Sequence, residues 1–152
     1  MTAVISAEHP ASPDATALIS ELDAHLEPLY PSASRHGFSV QKLIADSVAF
    51  FVIRDAGAAA GCGGIKLFGA EYGEIKRMYV RPQFRRRGLG KLMLDHLTEY
   101  AKANGVGILR LETGVHQDAA IGLYEQVGFK RIPPFGPYRD DPVSRCYEKR
   151  IQ

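Results

Sequence analysis

Arg85-Arg86-Arg87-Gly88-Leu89-Gly90-Lys91 is entered from the apolar run Ile75 to Val80 and followed by a long helical pattern, and it reads as a phosphate cradle. The two glycines let the backbone turn with no Cβ in the way, and the helix they open aims unpaired N–H groups and the positive end of its dipole at an anion. Two commoner phosphate loops fail on the letters. A dinucleotide fingerprint needs glycine or alanine where Met93 stands; a P-loop needs glycine at Arg85 and serine or threonine at Leu92. The plain alternative is a basic turn capping a surface helix.

What survives, Arg-x-x-Gly-x-Gly after a strand, resembles the pyrophosphate-binding motif of the GNAT superfamily of acyl-CoA-dependent N-acyltransferases. A second, independent segment, Gln117-x-x-Ala120-x-x-Leu123-Tyr124-x-x-x-Gly128-Phe129, resembles that superfamily's other signature. The usual first residue there is Asn; Gln117 keeps the amide on a longer arm. Tyr124 fits without adjustment. Read alone, Tyr124 is a core aromatic on an amphipathic helix, with Gly128 as the helix stop. The two motifs together favour the family reading.

Composition bounds the rest. With 152 residues, 45% of them hydrophobic, the chain can bury one substantial core, and a single domain over residues 1–152 is expected. No run of about 18 apolar residues suggests a membrane span, and Met1 to His9 lacks the features of a signal peptide, so a cytoplasmic location is expected. Cys62 and Cys146 suit neither a zinc knuckle nor a disulfide framework, and the five histidines are scattered, so no metal site is expected. The net charge of +2 argues against nucleic acid as a partner. Its distribution is uneven: seven basic residues and no acidic one lie from Lys76 to Lys91, which implies a local anion.

Ser12-Pro13 starts a helix, with Leu18, Leu22, Leu26 and Leu29 at helical spacing up to Pro31. Strands are expected at Val48 to Ile53, Ala58 to Phe68 and Gly73 to Val80, followed by a helix from Gly88 to Asn104 and a strand from Val106 to Thr113. A helix from Gln117 to Gln126 and strands at Phe129 to Ile132 and Arg145 to Ile151 complete the chain. The order predicts a mixed α+β fold, with a parallel crossover around residues 75 to 113.

This order resembles the GNAT fold, which is a mostly antiparallel mixed sheet with a central, splayed parallel strand pair and flanking helices. The resemblance implies acetyl-CoA as co-substrate. Main-chain groups of Met78, Tyr79 and Val80 would pair with the pantetheine arm, residues Arg85 to Lys91 would hold the pyrophosphate, and Gln117 would contact pantetheine or substrate. The first of these works by strand addition.

An amine attacking an acetyl carbonyl must lose a proton, and the departing thiolate is better received if a group donates one. Glu74 matches the family position for a general base; Glu112 is its rival, and sequence parity cannot decide between them if a bulge shifts the strand. The alternative for Glu74 is a charge paired with Lys76 or Arg77. Tyr124 is the candidate acid, since an ordinary pKa of about 10 keeps it protonated at neutral pH. No serine or cysteine lies on a nucleophile turn, so direct attack in a ternary complex is expected. The proline-rich stretch Pro133 to Pro142 suggests a preset loop, with Tyr138 as an aromatic wall and Arg139 or Arg77 available to a carboxylate. The acceptor expected is a small-molecule amine and the protein a monomer or homodimer. A protein N-terminus or lysine, or a non-catalytic acyl-CoA sensor, stays open.

Overall fold

The computed structural model describes residues 2–35 and 37–152; Met1 and His36, and with Met1 the first residue of the stretch read for a signal peptide, lie outside the described residues. Seven strands form one sheet: β1 (Ala3–Ala7), β2 (Ala49–Asp55), β3 (Ala58–Phe68), β4 (Tyr72–Val80), β5 (Ile108–Gly114), β6 (Lys130–Ile132) and β7 (Ser144–Arg150), in the spatial order β1-β2-β3-β4-β5-β7-β6. Every neighbouring pair is antiparallel except β4 with β5. The expected mixed α+β architecture is therefore present, including the parallel crossover.

Among the described residues four α-helices cover the sheet: α1 (Pro13–Leu26), α2 (Val40–Ala45), α3 (Leu89–Ala103) and α4 (Asp118–Gln126). The apolar run of β2 is buried on both faces, as a sheet with helices on each side requires. Phe50 and Val52 pack with Leu18 and Leu22 of α1 and Leu43 of α2, whereas Phe51 and Ile53 pack with Met93 and Leu97 of α3. Each such fully buried side chain contributes about 1.5–3 kcal/mol.

Two elements lie beyond the sequence reading. β1 sits at the sheet edge, where half-exposed Ala-Val-Ile-Ser-Ala lacks the alternation of a core strand, and Val4 is exposed. The six-residue α2, capped by the Ser39 hydroxyl accepting from Lys42 N–H at 3.1 Å, buries only Leu43 and falls between Pro31 and Val48, where the sequence predicts no element. Helix α1 starts at its Ser12 cap as read but stops at Leu26, leaving Leu29 exposed, since the chain turns before Pro31. The strand expected from Val106 begins at Ile108, because Val106 N–H is used to close the end of α3 on Ala101.

Candidate active site

Strands β4 and β5 pair only at Gly73 with Leu109 and Glu74 with Arg110. Beyond that point β4 stays bonded to β3 as far as Val80, and β5 stays bonded to β7 as far as Gly114, so the two part company. The gap between them opens through the sheet, from the α1 side to the side of α3 and α4. From Ile75 on, the β5-facing edge of β4 has no strand partner.

β4 also carries a bulge. Cys62 opposes Tyr79 and Gly64 opposes Lys76, so Gly63 alone faces both Arg77 and Met78, and Arg77 adopts φ +58°. Facing therefore reverses along the strand. Ile75 packs on the α3 side, but so do Met78 and Val80, while Tyr79 packs on the α1 side. The Tyr79 side chain reaches Glu21 of α1, leaving its main chain at the gap.

Because the bulge follows Glu74, that residue keeps the parity of Lys76 and faces away from Ile75. In β5, Leu109 and Leu111 pack on the α3 side, which turns Glu112 to the other face. Both glutamates line one cavity of about 110 Å³ with Tyr30, Arg35, Arg77, Gln117, Tyr124 and Tyr138. Glu74 is buried, not on the surface: Lys76 Nζ is 3.0 Å from its Oε2, and the Tyr138 hydroxyl donates to the same oxygen. The Pro-rich loop thus does reach the slot. Its Arg139 is exposed and absent from the cavity lining. The Ser144 hydroxyl donates to Glu112 at 2.7 Å.

Tyr124 comes from the opposite face, on α4, where it packs against Phe129. Burial alone pushes its phenol pKa above the ordinary tyrosine value. Tyr30 had no sequence signal beyond its place after a leucine-rich helix. It accepts from His116 N–H at 2.9 Å and donates to Gln117 Oε1 at 3.4 Å, and a Cβ on Gly114 would fall 2.1 Å from its ring. Gln117 is the residue before α4, with its amide in the cavity.

The cradle lies at the other end of the gap. Arg86 and Gly88 have φ +65° and +75°, with Arg87 between them, a succession that turns consecutive N–H groups toward one point. Arg85 N–H bonds to Pro82 and Leu92 N–H to Gly88, while among the described residues no acceptor is found for the N–H groups from Arg86 to Lys91. These unpaired donors fit a diphosphate. The basic run, however, is not one patch. Lys76 is held by Glu74, Arg77 by Asp23 and Arg81 by Glu21, all away from the cradle. Arg85 Nε folds back on the Val80 carbonyl at 2.9 Å, Arg87 pairs with Asp55 and Lys91 with Asp95. With these side chains paired, the main-chain N–H groups are the open donors of the cradle.

The sheet order, splayed parallel pair and main-chain cradle define an acyl-CoA-dependent transferase. The Acetyltransferase (GNAT) family profile matches residues 16–129, and the chain belongs to that family. It is 41% identical to the "IAA acetyltransferase" of Azospirillum brasilense, covering 97% of each chain. It is 32% identical to the N-acetyltransferase YsnE of Bacillus subtilis, over 88% of this chain and 92% of that one. A solved Klebsiella pneumoniae structure, assigned to the acyl-CoA N-acyltransferases, superposes with a TM-score of 0.84 at 36% identity, covering 99% of this chain and 98% of that one. The protein is an acetyltransferase, and acetyl-CoA is the co-substrate of its class.

Proposed function

We propose that the protein moves an acetyl group from acetyl-CoA to the primary amine of a small molecule, by direct attack in a ternary complex. One observation carries this: the β4–β5 gap joins a cavity bearing two carboxylates on one face of the sheet to a tyrosine hydroxyl on the other. Base and acid thereby stand on opposite sides of the place where a thioester would lie.

Acetyl-CoA supplies the activated acyl group. Toward it, the N–H groups of Arg86, Arg87, Gly88, Leu89, Gly90 and Lys91 hold the diphosphate, with the Arg85 side chain bracing the turn on Val80. The unpartnered edge of Met78, Tyr79 and Val80 takes the pantetheine arm by strand addition. Gln117, tied to Tyr30, flanks that arm. Glu74 receives the amine proton, directly or through water. Its pairing with Lys76 and Tyr138 holds the carboxylate in one orientation, and Glu112 stands beside it as second acceptor. Tyr124 gives its proton to the departing sulfur and is kept protonated for that role by burial.

One feature supports the direct route. Cys62 and Cys146 are buried free thiols; burial pushes Cys62 up to about 12 and raises Cys146, the wrong direction for a nucleophile. The modest volume of the cavity, flanked by Tyr30 and Tyr138, is compatible with a small acceptor. We read the chain as one catalytic domain over 1–152, working in the cytoplasm as a monomer or homodimer. The free thiols and similarity along 97% of the chain support that reading. No helix among the described residues is long and apolar enough to cross a membrane.

The test is release of free coenzyme A from acetyl-CoA against amino acids, polyamines, aminoglycosides and peptides. Amine-dependent release establishes the transfer; release only with peptides moves the acceptor to proteins; tight acetyl-CoA binding without release across the panel favours a sensor.

A further inference from the structure

Arg77, like Arg35, is a charged group of the cavity that the transfer chemistry leaves without a task. Its side chain is only 3% exposed. One terminal nitrogen, Nη2, donates to Asp23 and to the Ile19 carbonyl of α1. The Nε–H is buried and has no hydrogen-bond partner among the described residues. A buried donor left so costs about 1–3 kcal/mol, unless an acceptor arrives from elsewhere. The residue also holds a left-handed backbone, at φ +58°, which a long side chain adopts at a cost of about 1–2 kcal/mol. That conformation is what turns its guanidinium to the α1 side.

The surroundings are shaped for a second charged group. A Cβ on Gly37 would fall 1.9 Å from Arg77 Nη1, so the chain passes over the guanidinium at a distance only glycine permits. Arg35 lines the same cavity and adds a second guanidinium. Across the cavity stand Glu74 and Glu112, on β4 and β5. The guanidinium groups of Arg35 and Arg77 thus share the cavity with Glu74, which Lys76 pairs, and with Glu112, which accepts from Ser144. Asp23 pairs with Arg77 through Nη2, and Nε is left without an acceptor among the described residues.

Resting on the transfer reading above, we propose that the acceptor is a primary amine that also carries a carboxylate. The carboxylate accepts from Arg77 Nε, with Arg35 beside it, and the amine is presented to Glu74 and Glu112. Such a bond is charge-assisted, and it satisfies the orphan donor. A polyamine or aminoglycoside, with no anion to offer, leaves Arg77 buried against a second cation.

The experiment pairs binding with turnover. Calorimetry on the coenzyme A-loaded protein uses glycine, β-alanine, 4-aminobutyrate, glutamate and phenylalanine, each beside its carboxamide, and coenzyme A release is followed for the same set. At least one acid is expected to bind about tenfold more tightly than its amide. Arg77→Gln should erase that preference through KM with kcat retained, and Gly37→Ala should weaken it by pushing the guanidinium aside. Asp23→Asn removes the charge paired with Arg77 but keeps an amide oxygen for its Nη2, with the fold checked by the urea midpoint; it should strengthen binding of the acid and leave the amide unchanged. Equal binding of acids and amides throughout overturns the proposal, as does an Asp23→Asn effect identical for both. Acid-selective binding without coenzyme A release supports the carboxylate site and overturns the transfer reading; release without acid preference does the reverse.

Discussion

The Tyr138 hydroxyl donates to Glu74 Oε2 from 64 residues away in sequence, and Lys76 Nζ bonds both, at 2.8 Å and 3.0 Å. A loop rich in proline is thereby fastened to the strand that carries the candidate base. Tyr138→Phe keeps the ring on Phe135 but removes a bond to a charged group. The expected loss is about 1.5–3 kcal/mol of stability. It is read from the urea midpoint, with coenzyme A release falling in parallel; an unchanged midpoint would show that the bond does not hold the loop.

Tyr124→Phe isolates one hydroxyl. The ring stays packed on Phe129, so acetyl-CoA should bind as in the parent protein while kcat falls by about 10²- to 10⁴-fold. Since burial raises the phenol pKa, the alkaline arm of the pH–rate profile is not expected to come from this group. A profile whose alkaline arm disappears in the variant would assign that arm to Tyr124 and contradict its raised pKa.

At the cradle, main chain and side chain can be separated. Gly88 has open space where a Cβ would stand, so Gly88→Ala strains only the left-handed backbone, by about 1–2 kcal/mol. Acetyl-CoA affinity should fall by about tenfold as the N–H groups lose alignment. Arg86→Ala should weaken binding less, and its effect should fade with added salt. A larger loss for Arg86→Ala would make the guanidinium, rather than the backbone, the main ligand.

Cys62 gives the fold a pH dependence of known sign. Its folded pKa is pushed up to about 12 from an ordinary 9.0, so between those values the folded chain holds a proton that the unfolded chain has lost. The stabilising contribution is complete below pH 9 and declines as pH rises toward 12, by at most about 1.36 kcal/mol per pH unit. Urea midpoints compared at pH 8 and pH 10 should show the decline, and Cys62→Ala should make it shallower. Equal slopes in both proteins would assign the effect elsewhere.

The two motifs were legible because each rests on local necessity. Gly88 sits at positive φ where no side chain fits cheaply, and Tyr124 follows Gln117 at helical spacing on a helix whose stop is Gly128. Central strands were legible from burial on both faces. Other parts had no local signature. Tyr30 enters the cavity only because α1 ends at Leu26 and the chain folds back across Gly114. The basic run looked like one patch because a linear count cannot see that Asp23 and Glu21, in α1, reach across to Arg77 and Arg81. The burial of Glu74 has no local signature because it depends on Tyr138, which arrives from a loop.

The single extra residue at Arg77 sets the grammar of β4. Ahead of it, Glu74 and Lys76 face the cavity proposed for the acceptor; behind it, the alternation restarts in the opposite phase and the strand has a bare edge, proposed for the acyl carrier. One strand thus speaks to two ligands without either half dictating the other's order. Were the same letters paired to β3 with no bulge, Tyr79 would swing into the α3 layer and Met78 out of it, so the one extra residue is what keeps both in their own layers.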